Sequence, residues 1–472
     1  MGYKKETVKD YLRFAHPDRK VQIVDVGLFE GDGSGLGYTM LKCEQFLKCP
    51  FVFCANDTMV KEEIPEPNLN WMGYAEGYNT EEYRGMKYDK LGKVSDILSK
   101  GSSGENVRPY IGMAGISDYT FFWEMMNEGK EQGSIEIGES YGLKFLIGKN
   151  LLAKCFTWYD TGSVDSLERV RKLHHSESDP NILFKPDEAI WFVNDKVIKF
   201  SIDSKFISNR TKRTKFLGEY IPEVTGSSKN MYVYKKIKGE IFSKNPTVEK
   251  FAYFLDWMEK FWVKKKLSAA KEKEFYKHNF SFYKNKTYER VHKYFDRFEQ
   301  TDSKEIINGV ETPKLMEILE MVDWRYLSKE SPYRFHGDLH FENILVNDTD
   351  SPPFTLLDWR QEYGGNLEYG DIYYDFAKLN HGFIICHELI NKNLFKVHHR
   401  LSFVDYDFLR KNNLVECEIY FAEYVKKEGF DYKKIEILTY LIFLNIAALH
   451  HYPYSSLLFY LGKSGLHKCL SN

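Results

Sequence analysis

The chain has 472 residues, with 66 Lys and Arg against 68 Asp and Glu, for a formal net charge of -2. That balance excludes the one-signed field of a dedicated nucleic-acid binder, and 43% hydrophobic residues exclude a disordered chain. Seven cysteines, an odd number without a C-x-x-C pair, exclude a disulfide framework or a structural zinc site and point to a reducing, cytoplasmic setting.

The opening MGYKKETVKDYLRF carries charge where a secretory leader needs an apolar run. In the first 175 residues the pattern predicts strands at 21–26, 51–55 and 110–116, with helices at 38–47 and 119–128. Strand, helix, strand in that rhythm predicts a mostly parallel α/β sheet. The polar stretch 174–180, HHSESDP, predicts a domain boundary. After it come predicted strands at 188–193 and 196–200, joined by the turn Asn194-Asp195, and a third at 231–237. A helical, aromatic body at 248–327 follows, then short strands at 344–346 and 354–357 and a helical C-terminal region. Residues 437–461 lack Asp, Glu, Lys and Arg. Their mainly apolar part, 437–449, is shorter than the about 20 residues of a spanning helix. A buried helix is predicted, and no membrane contact.

The chemistry concentrates in FHGDLHFENILV, residues 335–346, which sets His336, Asp338 and Asn343 in the spacing H-x-D-x-x-x-x-N. Asp358, in TLLDW, follows Asn343 by fifteen residues. Phosphoryl transfer from ATP to an alcohol needs a carboxylate that orients the hydroxyl and takes its proton. It also needs oxygen ligands for Mg²⁺ bridging the phosphates. An Asp, an Asn and a second Asp ending the next strand supply those atoms.

HGDLHFEN followed by LLDW resembles the aminoglycoside phosphotransferase and choline kinase branch of the protein-kinase-like fold, from roughly residue 181 to the C-terminus. The resemblance implies ATP and Mg²⁺ as cofactors, Asp338 as catalytic base, His336 as a brace of the catalytic loop, and Asn343 and Asp358 as metal ligands. It also implies that Lys199, inside the apolar strand DKVIKF, reaches the α and β phosphates. Gly239, in the place of the small residue after the interlobe hinge, implies that backbone groups at Lys236 and Ile237 meet adenine. Two features depart from the family. No glycine-rich loop precedes Lys199, and the helix that should supply its acidic partner reads SNRTKRTKFLGE. Glu219, Asp358 or neither is left to hold Lys199. Asp371 and Asp375 are expected to be structural, as a loop anchor and a helix N-cap. His340 or Glu342 could face substrate, and the aromatic helices over 251–298 occupy the place of the acceptor pocket.

In the first half, FVFCANDTMV with Asp57, GKVSDILSKG with Lys100, YIGMAGI, and FTWYDTGSV with Asp160 together resemble the sugar-phosphate nucleotidyltransferases. Those enzymes join an NTP to a phosphorylated sugar or alcohol and release pyrophosphate. The resemblance implies that Asp57 and Asp160 share a Mg²⁺, that Lys100 approaches the acceptor phosphate, and that EGDGSGLG, residues 30–37, lies by the nucleotide. The family's first strand and glycine-rich loop would precede GYKKETVKDYL, so a shortened or non-catalysing half is expected.

The expected fold class is an α/β, Rossmann-like, nucleotidyltransferase-like domain over 1–175, then an α+β two-lobed protein-kinase-like domain over 181–472. Its smaller lobe is expected at about 181–240 and its helical lobe at about 241–472. The expected function is ATP- and Mg²⁺-dependent phosphorylation of a hydroxyl on a sugar, amino alcohol or polyol, with a role in surface-polysaccharide precursor synthesis. The alternatives are a bifunctional kinase and nucleotidyltransferase, and an inactive pseudokinase acting as scaffold or nucleotide sensor. The partners expected are a small-molecule alcohol and a nucleoside triphosphate, without nucleic acid or membrane.

Overall fold

A nine-residue strand, Arg108–Ile116, organises the N-terminal unit. In the computed structural model, which describes residues 1–104, 106–174, 187–348 and 352–471, the chain divides into Met1–Leu183 and Phe184–Asn472. The expected break at 174–180, His174 apart, lies outside the described residues, as do residues 181–186 of the expected smaller lobe.

Side chains alternate along Arg108–Ile116 as the two-residue period of a strand requires. Tyr110, Ala114 and Ile116 pack with Phe122, Trp123, Met126, Leu143 and Leu146 from the helices, while Ile111 and Met113 pack with Trp71, Phe156 and Trp158 on the other face. Gly115 has a packing reason: a Cβ there would lie 2.0 Å from the Trp71 indole nitrogen. The strand pairs antiparallel with Phe51–Cys54, Trp71–Tyr74 and Arg84–Tyr88. Arg84–Tyr88 pairs antiparallel with Val94–Lys100, and Trp71–Tyr74 runs parallel to Leu152–Cys155.

The expectation of a mostly parallel sheet is therefore corrected: among the described residues one pair in this sheet is parallel. An apolar run announces a strand but not its direction, which the long-range partner sets. Residues 21–26 form no strand either; Val21, Gln22 and Asp25 are exposed and Val26 is buried, with the Val26 N–H on the Met1 carbonyl. Helix Tyr119–Glu128 forms where expected, whereas 38–47 becomes the short helix Leu36–Leu41 and a 3₁₀ turn, Glu44–Phe46.

The second unit begins with an antiparallel sheet in the order Val224–Ser227, Met231–Lys235, Lys196–Ser201, Glu188–Val193. Asn194 takes a positive φ of 54° in the two-residue turn, a conformation asparagine tolerates. Helix Ser204–Leu217 is capped by Asp203, whose side chain accepts from the Lys205 and Phe206 N–H groups. A second small sheet joins Gly239–Ile241, Ile344–Asn347 and Phe354–Leu356.

Helix Ile372–Ile384 runs through the centre of the helical lobe with all thirteen residues buried. Around it lie Val248–Glu259, Lys286–Phe298, Asn412–Lys427, Tyr432–Ala447 and Tyr454–Ser471. The stretch 437–461 is thus not one helix: it spans parts of two that pack together, with a break around His450 and Pro453. Among the described residues no helix is long and apolar enough to cross a membrane. The pattern also missed a four-stranded sheet made by Glu305–Ile307, Val310–Thr312, Phe395–Arg400 and Phe403–Phe408. Its three-residue strands carry too little alternation to read, and they lie within stretches that looked helical.

Candidate active site

The segment 335–343 is a loop closed by a short 3₁₀ turn, Phe341–Asn343, which leads directly into strand Ile344–Asn347. Gly337 has φ 88°, and a Cβ there would lie 2.6 Å from Arg360 Cβ, so both backbone and space require glycine. Asp375, fully buried on the central helix, holds this turn: its carboxylate accepts from His336 N–H at 2.8 Å, Gly337 N–H at 2.6 Å and Trp262 Nε1 at 3.2 Å. Burial raises the Asp375 carboxyl to about 6 against the pull of those donors. Asp371 is the N-cap of the same helix, accepting from Tyr373 N–H at 2.9 Å and Tyr283 OH at 2.6 Å. Both aspartates are structural, with anchor and cap exchanged from the expected order.

The loop then presents its polar side chains in one place. Asn343 Nδ2 donates to the Asp338 carbonyl at 2.9 Å and sits 3.1 Å from His340 Nε2. Leu357 N–H donates to the Asn343 carbonyl at 2.8 Å, which brings Asp358, one residue on, beside Asn343. Asp358 has φ 55°, a positive value that turns it out of its strand. Asp338, Asn343 and Asp358 are therefore neighbours. His336 is fully buried, with burial pulling its imidazole down to about 3; its Nδ1 accepts from Asp338 N–H at 3.3 Å. It stiffens the loop and is sealed from the cleft.

Lys378, one turn beyond Asp375, lies 2.8 Å from Asp338 Oδ1. Burial would raise the Asp338 carboxyl, but Lys378 and His340 outweigh it and hold it far below the usual carboxylate range. Glu342 accepts at His340 Nδ1, 3.0 Å away. Of the partners left open for Lys199, the structure has Asp358, with Lys199 nearly buried in its strand and its ammonium on Asp358 Oδ1. Glu219 stands exposed.

The basic helix answers a second question. Arg210 Nη1 lies 2.8 Å from the same Asp358 oxygen. Arg213, fully buried, donates to the carbonyls of Phe335 at 2.6 Å, Leu367 at 2.9 Å and Arg360, and stacks over the Phe335 ring. One helix thus ties together the loops that carry Asp338 and Asp358. Neither arginine was singled out from the sequence, where an i, i+3 pair of arginines looks like a solvated face.

Both cations on Asp358 fall on Oδ1, leaving Oδ2 as the oxygen a metal could take. The Asn343 amide nitrogen is occupied by the loop, leaving its Oδ1. A carboxylate oxygen and an amide oxygen suit Mg²⁺, which keeps waters and phosphates for its other positions. No cluster of three or more His, Cys, Asp or Glu fit for a metal occurs among the described residues. At the expected hinge, Lys236 N–H donates to the Asp195 carbonyl at 2.7 Å, so its carbonyl and the Ile237 backbone are what an adenine could meet. A Cβ at Gly239 would lie 2.3 Å from the Val346 carbonyl, which explains the small residue there.

In the first unit, strands Thr58–Val60 and Trp158–Asp160 pair with Thr58 opposite Asp160. A Cβ on Gly162 would sit 3.2 Å from Asp160 Oδ1 and 3.3 Å from Asp57 Oδ2, so the two carboxylates face one space. Tyr83 OH donates to Asp160 Oδ2 at 3.1 Å. Lys100 stands exposed at its strand end opposite Arg84, outside the contacts that join the aspartates. In 30–37, Gly35 and Gly37 are small because Cβ atoms there would strike the carbonyls of Ile135 and Ser134.

Residues 278–389 match the family model of the phosphotransferase enzyme family, APH, a span that holds Asp338, Asn343, Asp358, Asp375 and Lys378. The C-terminal region carries a phosphotransferase domain of the kinase type. Among solved structures, the gentamicin complex of the phosphotransferase APH(2")-IIa is similar at 14% identity, covering 64% of this chain and 95% of that one, with TM-score 0.31. A putative fructosamine-3-kinase from Thermobifida fusca YX-ER1 is similar at 16%, covering 57% and 85%, with TM-score 0.35. The CTP:phosphocholine cytidylyltransferase LicC of Streptococcus pneumoniae is similar at 13%, covering 36% and 74%, with TM-score 0.30. No curated protein sequence matches the chain.

Proposed function

We propose that the second unit is a Mg²⁺-dependent kinase that moves the γ-phosphoryl group of ATP to a hydroxyl of a small molecule such as a sugar, amino alcohol or polyol. The convergence of Asp338, Asn343 and Asp358 carries this reading. Asp338 takes the hydroxyl proton as the alcohol oxygen bonds to the γ-phosphorus. The bond from that phosphorus to the β–γ bridging oxygen breaks, and ADP leaves. Asn343 Oδ1 and Asp358 Oδ2 would hold Mg²⁺, which when bound would neutralise charge on the phosphate oxygens. Lys199 reaches the phosphates from beside Asp358, and Lys236 and Ile237 offer backbone to adenine.

The pseudokinase alternative rested on the missing glycine-rich loop and the basic helix, and Arg213 gives that helix a positioning role at the site. The bifunctional alternative draws support from Asp57 and Asp160 facing one space beside Gly162. In that reading the first unit would activate the phosphorylated product as a nucleotide diphosphate, the form in which surface polysaccharides receive their building blocks.

The test is ADP release by the purified chain with ATP, Mg²⁺ and a panel of hydroxyl acceptors. Acceptor-dependent turnover that stops with excess EDTA supports the kinase; nucleotide binding without turnover on any acceptor overturns it. Pyrophosphate release from a nucleoside triphosphate and the phosphorylated product, lost in Asp57→Asn, would support the bifunctional reading.

A further inference from the structure

Beside Asp338 the helical lobe gathers more positive charge than it neutralises. Lys378 is taken up by Asp338 itself. Lys286, on helix Lys286–Phe298, places Nζ 3.4 Å from Tyr374 OH and 4.4 Å from the centre of the Phe282 ring. It has no acidic partner among the described residues. Arg360 also lies against the Phe282 ring, 4.9 Å from its centre, and packs on Gly337, the residue before Asp338. Its Nε donates to the Glu362 carbonyl at 2.9 Å, and its two terminal nitrogens make no hydrogen bond among the described residues. Lys286 and Arg360 are half-buried, neither sealed away nor splayed into solvent.

We propose that the hydroxyl acceptor of this kinase carries an anionic group, a carboxylate or a phosphate-type group, which Lys286 and Arg360 hold beside Asp338. This rests on the kinase reading above and adds the charge class of its substrate. Two cations without acidic partners, crowded against one aromatic ring, cost free energy unless an anion joins them. The neighbours register that crowding. Burial would raise the Tyr374 phenol, yet Lys286, Lys378 and Arg360 pull it down to about 8, against Asp338. Burial lowers the Lys286 ammonium to about 8, with Arg360 and Lys378 adding to the effect and Tyr374 opposing it. The buried carboxylates of Asp371 and Asp375 are taken up elsewhere, Asp371 by Tyr283 OH and Tyr373 N–H, Asp375 by the His336 and Gly337 N–H groups and Trp262 Nε1. A guanidinium fork and an ammonium suit a carboxylate or phosphate oxygens. Such a cluster repels ammonium-bearing acceptors.

The experiment compares 2-hydroxyethyl compounds that differ only in the group on the second carbon: ethanolamine, ethylene glycol, 3-hydroxypropanoate and 2-hydroxyethylphosphonate. The three-carbon set glycerol, glycerate and glycerol 3-phosphate repeats it. The expected result is a kcat/KM at least about tenfold higher for an anionic member than for its neutral counterpart, the worth of one charged hydrogen bond. 3-Hydroxypropanoate against the phosphonate, and glycerate against the phosphate ester, tell carboxylate from phosphate-type recognition. Lys286→Met should raise KM for the favoured anion about tenfold or more, and Lys286→Arg should restore it. Turnover that prefers the neutral or cationic members overturns this inference and leaves the kinase standing. Absence of turnover on every member overturns both.

Discussion

Arg210 and Lys199 share one oxygen of Asp358: the guanidinium lies 2.8 Å from Oδ1 and the ammonium bonds the same atom. In this kinase-like lobe the helix beside the strand lysine offers a second cation instead of a carboxylate. Burial would raise the Asp358 carboxyl, but Lys199 and Arg210 hold it far below the usual range. It is ionised at any working pH and is ready to meet a metal.

A metal at Asp358 must share that carboxylate with two cations. Replacing Arg210 by Gln removes one competitor, with an expected effect of about 1 kcal/mol at a partly screened site. The Mg²⁺ concentration giving half-maximal ATP turnover should fall several-fold. A rise instead would mean that Arg210 positions the carboxylate for the metal.

Asp338→Asn keeps the size of the side chain but removes the proton acceptor. We expect kcat to fall about 10²- to 10⁴-fold, the usual worth of a general base. The thermal unfolding midpoint should fall, because buried Lys378 loses its ion-pair partner, while the loop, which hangs on Asp375, keeps its turn. Unchanged turnover would remove Asp338 from the chemistry.

Arg213→Met leaves the buried carbonyls of Phe335 and Leu367 without their donor. The expected loss is about 2–4 kcal/mol in urea unfolding, since each stranded group costs about 1–3 kcal/mol. Arg213→Lys should recover little, because an ammonium cannot span carbonyls that the planar fork reaches together.

Asp375 supplies a pH signature. Its carboxyl sits at about 6 in the folded chain, raised from 3.8, so the folded state binds a proton more tightly than the unfolded one. Its contribution is present in full below pH 3.8 and is lost as pH rises through 6, a span of about 3 kcal/mol. Asp375→Asn lacks this linkage and sets an amide N–H₂ against N–H donors. Wild type should be the more stable at every pH, with its advantage larger at pH 4 than at pH 7. An advantage that grows with pH would reverse the sign. Urea titrations of both proteins at the two pH values decide it.

Parts of this site could be read directly from the chain. His336, Asp338, Asn343 and Asp358 lie within 23 residues of one another, on a loop and a hairpin whose register follows from short-range pairing. The helix Tyr119–Glu128 and the hairpin around Asn194 were equally plain, because their patterning is local. Sheet direction in the first unit was not, since the partners of Arg108–Ile116 come from as far away as Phe51. Arg210, Arg213, Lys286 and Lys378 escaped notice for the same reason. Each looks like a surface cation on its own helix, and its partner lies on another element.

The order of side chains along residues 336–358 determined, without any structure, that two aspartates and an asparagine come close together, because hydrogen bonds within a few residues place them. Only the tertiary structure decided which cations surround Asp338. Charges interact through space over several ångströms, and packing of distant helices sets those separations. Sequence spacing leaves them open.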